Sequence, residues 1–297
     1  MRAVLIQADV DHTRPFAERV AALCERILAQ RGADVVVLPE LWATGYFAFD
    51  DYASTAEPLD GPLARALGKA AAGAGVHLHA GSIVERDADG RLFNTSLLFG
   101  PDGTLLHAYR KVHLFGHRSK ESALLAPGDT VRALETGVGR VGLAACYDLR
   151  FPELFRVLAD DGAALLLVAA AWPAERIDHW KLLVRARALE NQAWVLACNA
   201  AGRQGEVALG GTSLVVDPYG RTVAEAGTGD TVLTAPVDPD EAARARAGFP
   251  ALADRRIATA RAVPTGVVAP APAPAPAPVP APADPAPPPR PAAGRDH

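Results

Sequence analysis

The chain has 297 residues, 49% of them apolar and 22% charged, with a formal net charge of −4. That composition excludes a wholly disordered chain, and the acidic balance leaves no basic surplus to neutralise a phosphate backbone, so no nucleic-acid partner is expected. The opening MRAVLIQADV turns polar too early for a signal peptide, and the longest apolar run, Ala163 to Trp172, is about half a bilayer span. No membrane role is expected, and the expected location is the cytoplasm.

Ala3 to Ala8 reads as a short strand, and Phe16, Val20, Leu23, Cys24 and Ile27 recur at helical spacing after it. Gly32 stops that helix, and Asp34-Val35-Val36-Val37-Leu38 suits a strand buried on both faces. A helix over Pro62 to Ala72 and a strand over Val76 to Val84 follow. Phe93 to Phe99 and Thr104 to Tyr109 flank the turn Gly100-Pro101-Asp102-Gly103, which predicts a hairpin. The order then returns: strand Val141 to Ala145, helix from Pro152, strand Ala164 to Ala169, helix around Trp180 to Asn191, strand Trp194 to Cys198. A second hairpin sequence, TSLVVDPYG from Thr212, echoes TSLLFGPDG from Thr95. A repeated βαβαββ half predicts an α/β fold of two mixed sheets with pseudo-twofold symmetry, stacked as a four-layer αββα sandwich.

Thirteen of the 25 prolines lie between Pro264 and Pro291, largely in an Ala-Pro alternation. Proline lacks the N–H that a helix or sheet needs, so residues 263–297 are expected to be a disordered, polyproline II-like tail beyond a single domain of residues 1–262.

Three cysteines at irregular spacing give neither a disulfide framework nor a CxxC metal pattern. Cys24 falls on the apolar face of a helix and Cys198 inside an apolar strand, where a thiol acts as a small hydrophobe. Cys146 instead falls on a strand-to-helix turn before Pro152. Such an elbow exposes a side chain and is expected to lower a thiol pKa through the helix N-terminus, though position alone also suits an inert buried thiol. Glu40 sits at the carboxyl edge of a buried strand, where open α/β sheets place their sites, and by itself also suits a solvated or capping carboxylate. Lys111, in YRKVHLF, reads alone as surface charge.

Taken together, LPELWATGY around Glu40, YRKVHLF around Lys111 and CYDLRFPEL from Cys146 resemble the nitrilase superfamily of carbon-nitrogen hydrolases. So do Glu121 ahead of Leu125-Ala126-Pro127-Gly128-Asp129, HWKLLVRARALENQAWV from His179, and GGTSLVVDPYG. The resemblance covers about residues 3 to 250. It implies the αββα fold, a homodimer or higher oligomer, and a catalytic Glu40, Lys111 and Cys146, with Glu121 beside the lysine to orient substrate or to serve as a structural partner.

The expected chemistry is hydrolysis of a small amide without a cofactor. Glu40 takes the thiol proton, Cys146 attacks, and the oxyanion is held by Lys111 and the backbone N–H of Tyr147. Phe115, Tyr147, Arg150 and Trp172 are expected at the pocket, with Arg150 or Arg176 as the anchor for an anionic substrate. Lys111→Ala is expected to be severely impaired but folded. CYDLRFPEL and RARALENQ look most like the small ω-amidases, which act on amides of short dicarboxylic or 2-oxo acids. A nitrilase or an N-carbamoyl amidohydrolase uses the same triad. A binding protein acting through its proline-rich tail, as ligand of a polyproline-reading partner, is the alternative of another class.

Other patterns point away from further sites. Gly137-Val138-Gly139-Arg140-Val141-Gly142 fits GxGxxG but precedes a strand, whereas a dinucleotide site needs it after one. His77, His79, His113 and His117 lack the spacing of a zinc site, so no metal is expected. Arg185, Arg187 and Glu190 read as surface or interface ion pairs on a helix.

Overall fold

The computed structural model describes residues 1–117 and 119–259. The expected proline-rich tail and the domain boundary at residue 262 lie outside the described residues.

The first half runs β1 (Arg2–Gln7), α1 (Phe16–Leu28), β2 (Val35–Val37), α2 (Tyr52–Thr55), α3 (Pro62–Ala74), β3 (His77–Arg86), β4 (Leu92–Phe99), β5 (Leu105–Arg110) and α4 (Glu121–Leu124). The second runs β6 (Ala133–Thr136), β7 (Gly139–Ala145), α5 (Pro152–Asp160), β8 (Leu165–Ala170), α6 (Ile177–Asn191), β9 (Trp194–Asn199), β10 (Arg203–Gln204), β11 (Val207–Ala208), β12 (Leu214–Val216), β13 (Thr222–Glu225), β14 (Thr231–Pro236) and α7 (Asp240–Gly248).

Two six-stranded sheets form, in the orders β14-β1-β2-β3-β4-β5 and β6-β7-β8-β9-β12-β13. Position by position they match: three parallel strands with helical crossovers, then an antiparallel hairpin. Each sheet therefore has two strands more than the expected βαβαββ half: a second strand completes the hairpin, and one antiparallel strand is added at the opposite edge. In the second sheet β6 comes just before β7, whereas in the first sheet β14 arrives from the end of the second half to pair with β1. Neither edge strand shows a long apolar run. β14 alternates half-buried and exposed positions, and a partner more than 200 residues away leaves no local trace.

Side-chain alternation builds the layers. Val4, Ile6, Val36 and Leu38 pack against Leu23 and Ile27 of α1 and Leu67 of α3. Their neighbours Ala3, Leu5, Val35 and Val37 share a second core with Leu143, Leu167 and Leu196 of the other sheet, which extends to Phe155, Leu158, Trp180 and Val184 of α5 and α6. Each fully buried Leu, Ile or Val in these layers contributes roughly 1.5–3 kcal/mol. The four-layer αββα sandwich thus stands as expected.

His79 is an exception within this apolar interior. Its register partners Val37 and Leu98 place it on the face turned to the second sheet, and among the described residues neither ring nitrogen has a hydrogen-bond partner. Burial lowers its pKa from 6.5 to about 3. The unfolded chain binds this proton from pH 6.5 downward and the folded chain does not, so stability falls as the pH drops from 6.5 towards 3. His79→Leu is therefore expected to gain about 2 kcal/mol over the wild type at pH 5, beyond any difference at pH 8. Urea denaturation at the two pH values checks this.

Candidate active site

The carboxyl ends of the central strands of both sheets meet, and backbone geometry there is unusual. β2 ends just before Leu38-Pro39-Glu40, and Leu41 is held at φ +44°. β3 bulges opposite this turn, with Gly81 at φ +68°, and a Cβ on Gly81 would lie 1.9 Å from the Pro39 carbonyl oxygen. Only a glycine lets the two backbones approach so closely. The turn is fixed by Leu41 N–H donating to Ser82 Oγ (3.0 Å) and Glu40 N–H donating to the Ala170 carbonyl (3.3 Å), which carries Glu40 across to the second sheet.

Lys111 follows β5, its N–H bonded to the Asn94 carbonyl (2.8 Å). Its ammonium donates to Glu40 Oε1 (2.8 Å) and to Glu121 Oε1 and Oε2 (2.9 and 3.1 Å), and all three side chains are 0% exposed. Glu121 opens the single turn of α4. Its Oε2 also accepts from Tyr46 O–H (3.1 Å) and Phe115 N–H (2.7 Å), and its Oε1 from Asn94 Nδ2 (2.9 Å). So many donors hold Glu121 rigidly beside the lysine, and Tyr46 and Phe115, which they tie down, line the pocket.

Cys146 ends β7 at φ +46° and starts a 3-10 turn, Cys146–Arg150, before α5 begins at Pro152. A non-glycine residue at positive φ is a strained elbow that the surroundings must hold. Asp148 holds it. Its carboxylate accepts from Ala145 N–H (2.9 Å), Tyr109 O–H (2.7 Å), and the His113 backbone N–H and Nδ1 (3.1 and 2.8 Å). Arg187 holds the far end of the turn by donating from Nε and Nη2 to the Leu149 carbonyl (3.0 and 2.7 Å). Arg187 is therefore not the surface ion pair its helical position suggested. It is buried, and its pairing with Glu190 (2.6 Å) is secondary to bracing the elbow.

The first N–H groups of a helical turn have no acceptor within it, and the Tyr147 N–H, directly after the thiol, is one of them. Cys146 lies in a cleft of about 340 Å³, its mouth included, walled by Tyr46, Phe115, Tyr147 and Trp172 with Arg150 and Arg176. The expected pocket residues Phe115, Arg150 and Trp172 all line it. Trp172 is fixed by its N–H to Asn199 Oδ1 (2.6 Å) and its indole Nε1 to the Arg176 carbonyl (2.8 Å).

The electrostatics correct one expectation. The Cys146 thiol is not activated by a helix N-terminus: burial and the Glu40 carboxylate push its pKa well above the ordinary thiol value, against the lowering effect of Lys111. Two carboxylates and one ammonium sum to one negative charge, so a second anion on sulfur is disfavoured. Burial raises the Glu40 pKa, Lys111 lowers it and Glu121 raises it, with a net rise. Burial acts to lower the Lys111 pKa, but the two carboxylates prevail and hold it well above its usual range. The ammonium therefore stays charged, while the thiol proton has an acceptor at hand. Cys24, half-buried, and Cys198, fully buried, are both raised by burial and stand away from these groups.

Residue spacing did not single out Asn94, Tyr46, Asp148 or Asn199. Tyr46 and Asp148 stand inside the LPELWATGY and CYDLRFPEL segments, which was their only signal; Asn94 and Asn199 are polar positions in apolar strands. Among the described residues no group of three or more His, Cys, Asp or Glu is placed to hold a metal ion, and no helix is long and apolar enough to cross a membrane.

A profile of the family described as carbon-nitrogen hydrolase matches residues 3–247. The chain belongs to the carbon-nitrogen hydrolase family. A 2-oxoglutaramate amidase of Paenarthrobacter nicotinovorans is 39% identical to this hydrolase over 258 residues, 84% of this chain and 88% of the relative. An omega-amidase of Xenopus laevis is 40% identical over 242 residues, 77% of this chain and 85% of the relative. Among solved structures, a mutant amidase of Nesterenkonia sp. AN1 aligns with a TM-score of 0.75 and 27% identity, covering 86% of this chain and 94% of that one. It carries the acetamide moiety of fluoroacetamide covalently added at its active-site cysteine. This chain is accordingly an enzyme of the nitrilase superfamily, a carbon-nitrogen hydrolase of the ω-amidase-like branch.

Proposed function

We propose that this hydrolase cleaves the ω-amide of a short 2-oxo or dicarboxylic acid to carboxylate and ammonia through a thioester on Cys146. The observation that carries this reading is the buried Glu40–Lys111–Glu121 cluster set against the only thiol in a pocket that also holds two guanidinium groups. As Sγ bonds to the amide carbon, its proton passes to Glu40 and the oxyanion is met by the Tyr147 N–H and by Lys111. Once Glu40 is neutral, its hold on the ammonium weakens, which lets the positive charge turn to the oxyanion. Glu40 then gives the proton to the departing nitrogen, which leaves as ammonia. Water attacks the thioester, Glu40 accepts its proton and returns it to sulfur, and the acid is released. Glu121 positions Lys111 throughout.

The names of the relatives support a substrate with a free carboxylate at its other end. Arg176 already pairs with Glu175, whereas Arg150 lies over the Trp172 ring (5.0 Å) and meets His179 Nδ1 (3.4 Å), so Arg150 is the better-placed anchor. Ammonia release from 2-oxoglutaramate, a neutral short amide, a nitrile and an N-carbamoyl amino acid tests the reading. Arg150→Met is expected to lower kcat/KM for 2-oxoglutaramate about 10- to 100-fold and to leave the neutral amide unchanged. Equal losses on both would remove Arg150 as the anchor, and faster release from the nitrile would favour nitrilase chemistry.

Assembly with a second copy is also proposed. α6 turns Leu182 and Leu189 outward, 68% and 57% exposed, and the turn at Gly220, next to the partly exposed Tyr219, approaches Leu189. An apolar face of this kind is commonly covered by a partner. A cytoplasmic location fits the absence of a membrane-crossing helix among the described residues.

A further inference from the structure

Asn94 lies on β4, 1% exposed, and shares with Lys111 the task of binding the two glutamates. Its Nδ2 donates to Glu40 Oε1 (2.8 Å) and to Glu121 Oε1 (2.9 Å), the same two oxygens that accept from the Lys111 ammonium. Carboxylate oxygens only accept, so the amide must face them with its nitrogen. That orientation leaves Asn94 Oδ1 buried with no hydrogen-bond partner among the described residues. An unpaired buried carbonyl is unfavourable by about 1–3 kcal/mol, and the two carboxylates are what this orientation serves.

The other oxygen of Glu40 has different neighbours. The Ala171 N–H donates to Glu40 Oε2 (3.1 Å) and also reaches the Cys146 sulfur, which makes Oε2 the oxygen beside the thiol. With Lys111 and Asn94 both on Oε1, the carboxylate cannot rotate without breaking two charge-assisted bonds. We propose that Asn94 is a positioning residue that pins Oε1 of Glu40, so that Oε2 alone carries the proton between Cys146 and the leaving nitrogen. The S–H bond breaks and the Oε2–H bond forms as sulfur attacks; the proton then moves from Oε2 to nitrogen. This rests on the reading of Glu40 as the proton carrier.

The groups that act on Glu40 from the surrounding elements are Lys111 after β5, Glu121 on α4 and Cys146 after β7. Tyr46, in the loop after Glu40, and Tyr52 on α2 lie close enough to feel its charge. To these groups Asn94 adds a neutral amide that donates to both carboxylates, and it favours the ionised form of Glu40 without supplying a proton.

The test is the pH dependence of ammonia release by Asn94→Ala and the isosteric Asn94→Asp, with the fold of each checked by circular dichroism. Without the amide the ionised form of Glu40 is less favoured, so its pKa rises and activity is lost at a higher pH on the acid side. We expect kcat to fall about tenfold or more with KM held, and the acid limb of kcat/KM to move up by about one unit in Asn94→Ala. In Asn94→Asp, where a third carboxylate replaces the donor, the limb should move further. A merely structural brace would lower the active fraction and leave the limb in place, and that result would overturn the proposal. So would failure of both variants to fold. Glu40→Gln serves as the control: retained turnover there would remove Glu40 as the proton carrier whatever the Asn94 variants do.

Discussion

Lys111→Met is expected to lose both turnover and stability. Among the described residues the ammonium is the one cation bonded to these two fully buried carboxylates, and its removal leaves Glu40 and Glu121 to repel each other out of contact with water. Breaking a buried pair from one side is typically unfavourable by about 3–5 kcal/mol, and loss of one oxyanion donor lowers turnover by about 100-fold or more. To the expectation that Lys111→Ala would be severely impaired but folded, burial adds a cost in stability, because it makes the lysine structural as well as chemical. The pH dependence carries a definite sign. Without the lysine, burial and the Glu121 charge are left to raise the Glu40 pKa unopposed, so the stability deficit of the variant should shrink as the pH falls. Urea melts of wild type and Lys111→Met at pH 8 and pH 5 would show this. Adding Glu121→Gln to Lys111→Met should recover stability but not turnover.

Glu40→Gln is expected to fold and to lose hydrolysis by about 100- to 10,000-fold, the range of a general acid-base group. Folding should survive because the change removes one of two competing negative charges, and an amide can still accept from Lys111 and Asn94 through its oxygen. Chemistry should not survive, because without the Glu40 carboxylate the thiol loses the acceptor that acts on it and the departing nitrogen loses its proton donor. Alkylation of Cys146 by a haloacetamide should persist in the variant, because the halide leaves without a proton and, with the Glu40 charge gone, the thiol proton can pass to solvent. Loss of alkylation together with hydrolysis would instead show that the thiol no longer reacts at all, by closure of the pocket or because its proton leaves only through Glu40. Steady-state ammonia release and the mass of the alkylated protein separate these outcomes.

The fold was readable where structure is local. The β-branched run at Val35–Val37, the helical spacing of α1 and the two Gly-containing hairpin turns each act within about ten residues, and each lies where its pattern placed it. β14 was not readable, because it is recruited by β1 from the far end of the chain. α7 was missed for a different reason: DEAARARAG has little apolar surface, and its helix is anchored by Arg246 donating to the Ala163 and Asn191 carbonyls and by Gln192 reaching back to Ala245 and Phe249.

The site shows the same division. Glu40, Lys111 and Cys146 stand in segments whose family resemblance marked them, and the structure brings Glu40, Lys111 and Glu121 into direct contact beside Cys146. The groups that hold them carried no such mark. Asn94 reads as one polar residue in a strand and Arg187 as one charge on a helix. Their roles arise from which carbonyl or carboxylate lies opposite in space, and only the stacking of the two sheets decides that. The direction of the thiol shift was likewise hidden, since it depends first on burial and then on the charges of a cluster assembled from four separate segments.

The most direct measurement is ammonia release from 2-oxoglutaramate by the wild type and by Cys146→Ala under identical conditions. Release by the wild type that falls by about 1,000-fold or more in the variant, with its circular dichroism unchanged, is the predicted result. Comparable release by both proteins would contradict nucleophilic catalysis at Cys146, and with it the division of roles assigned to Glu40 and Lys111.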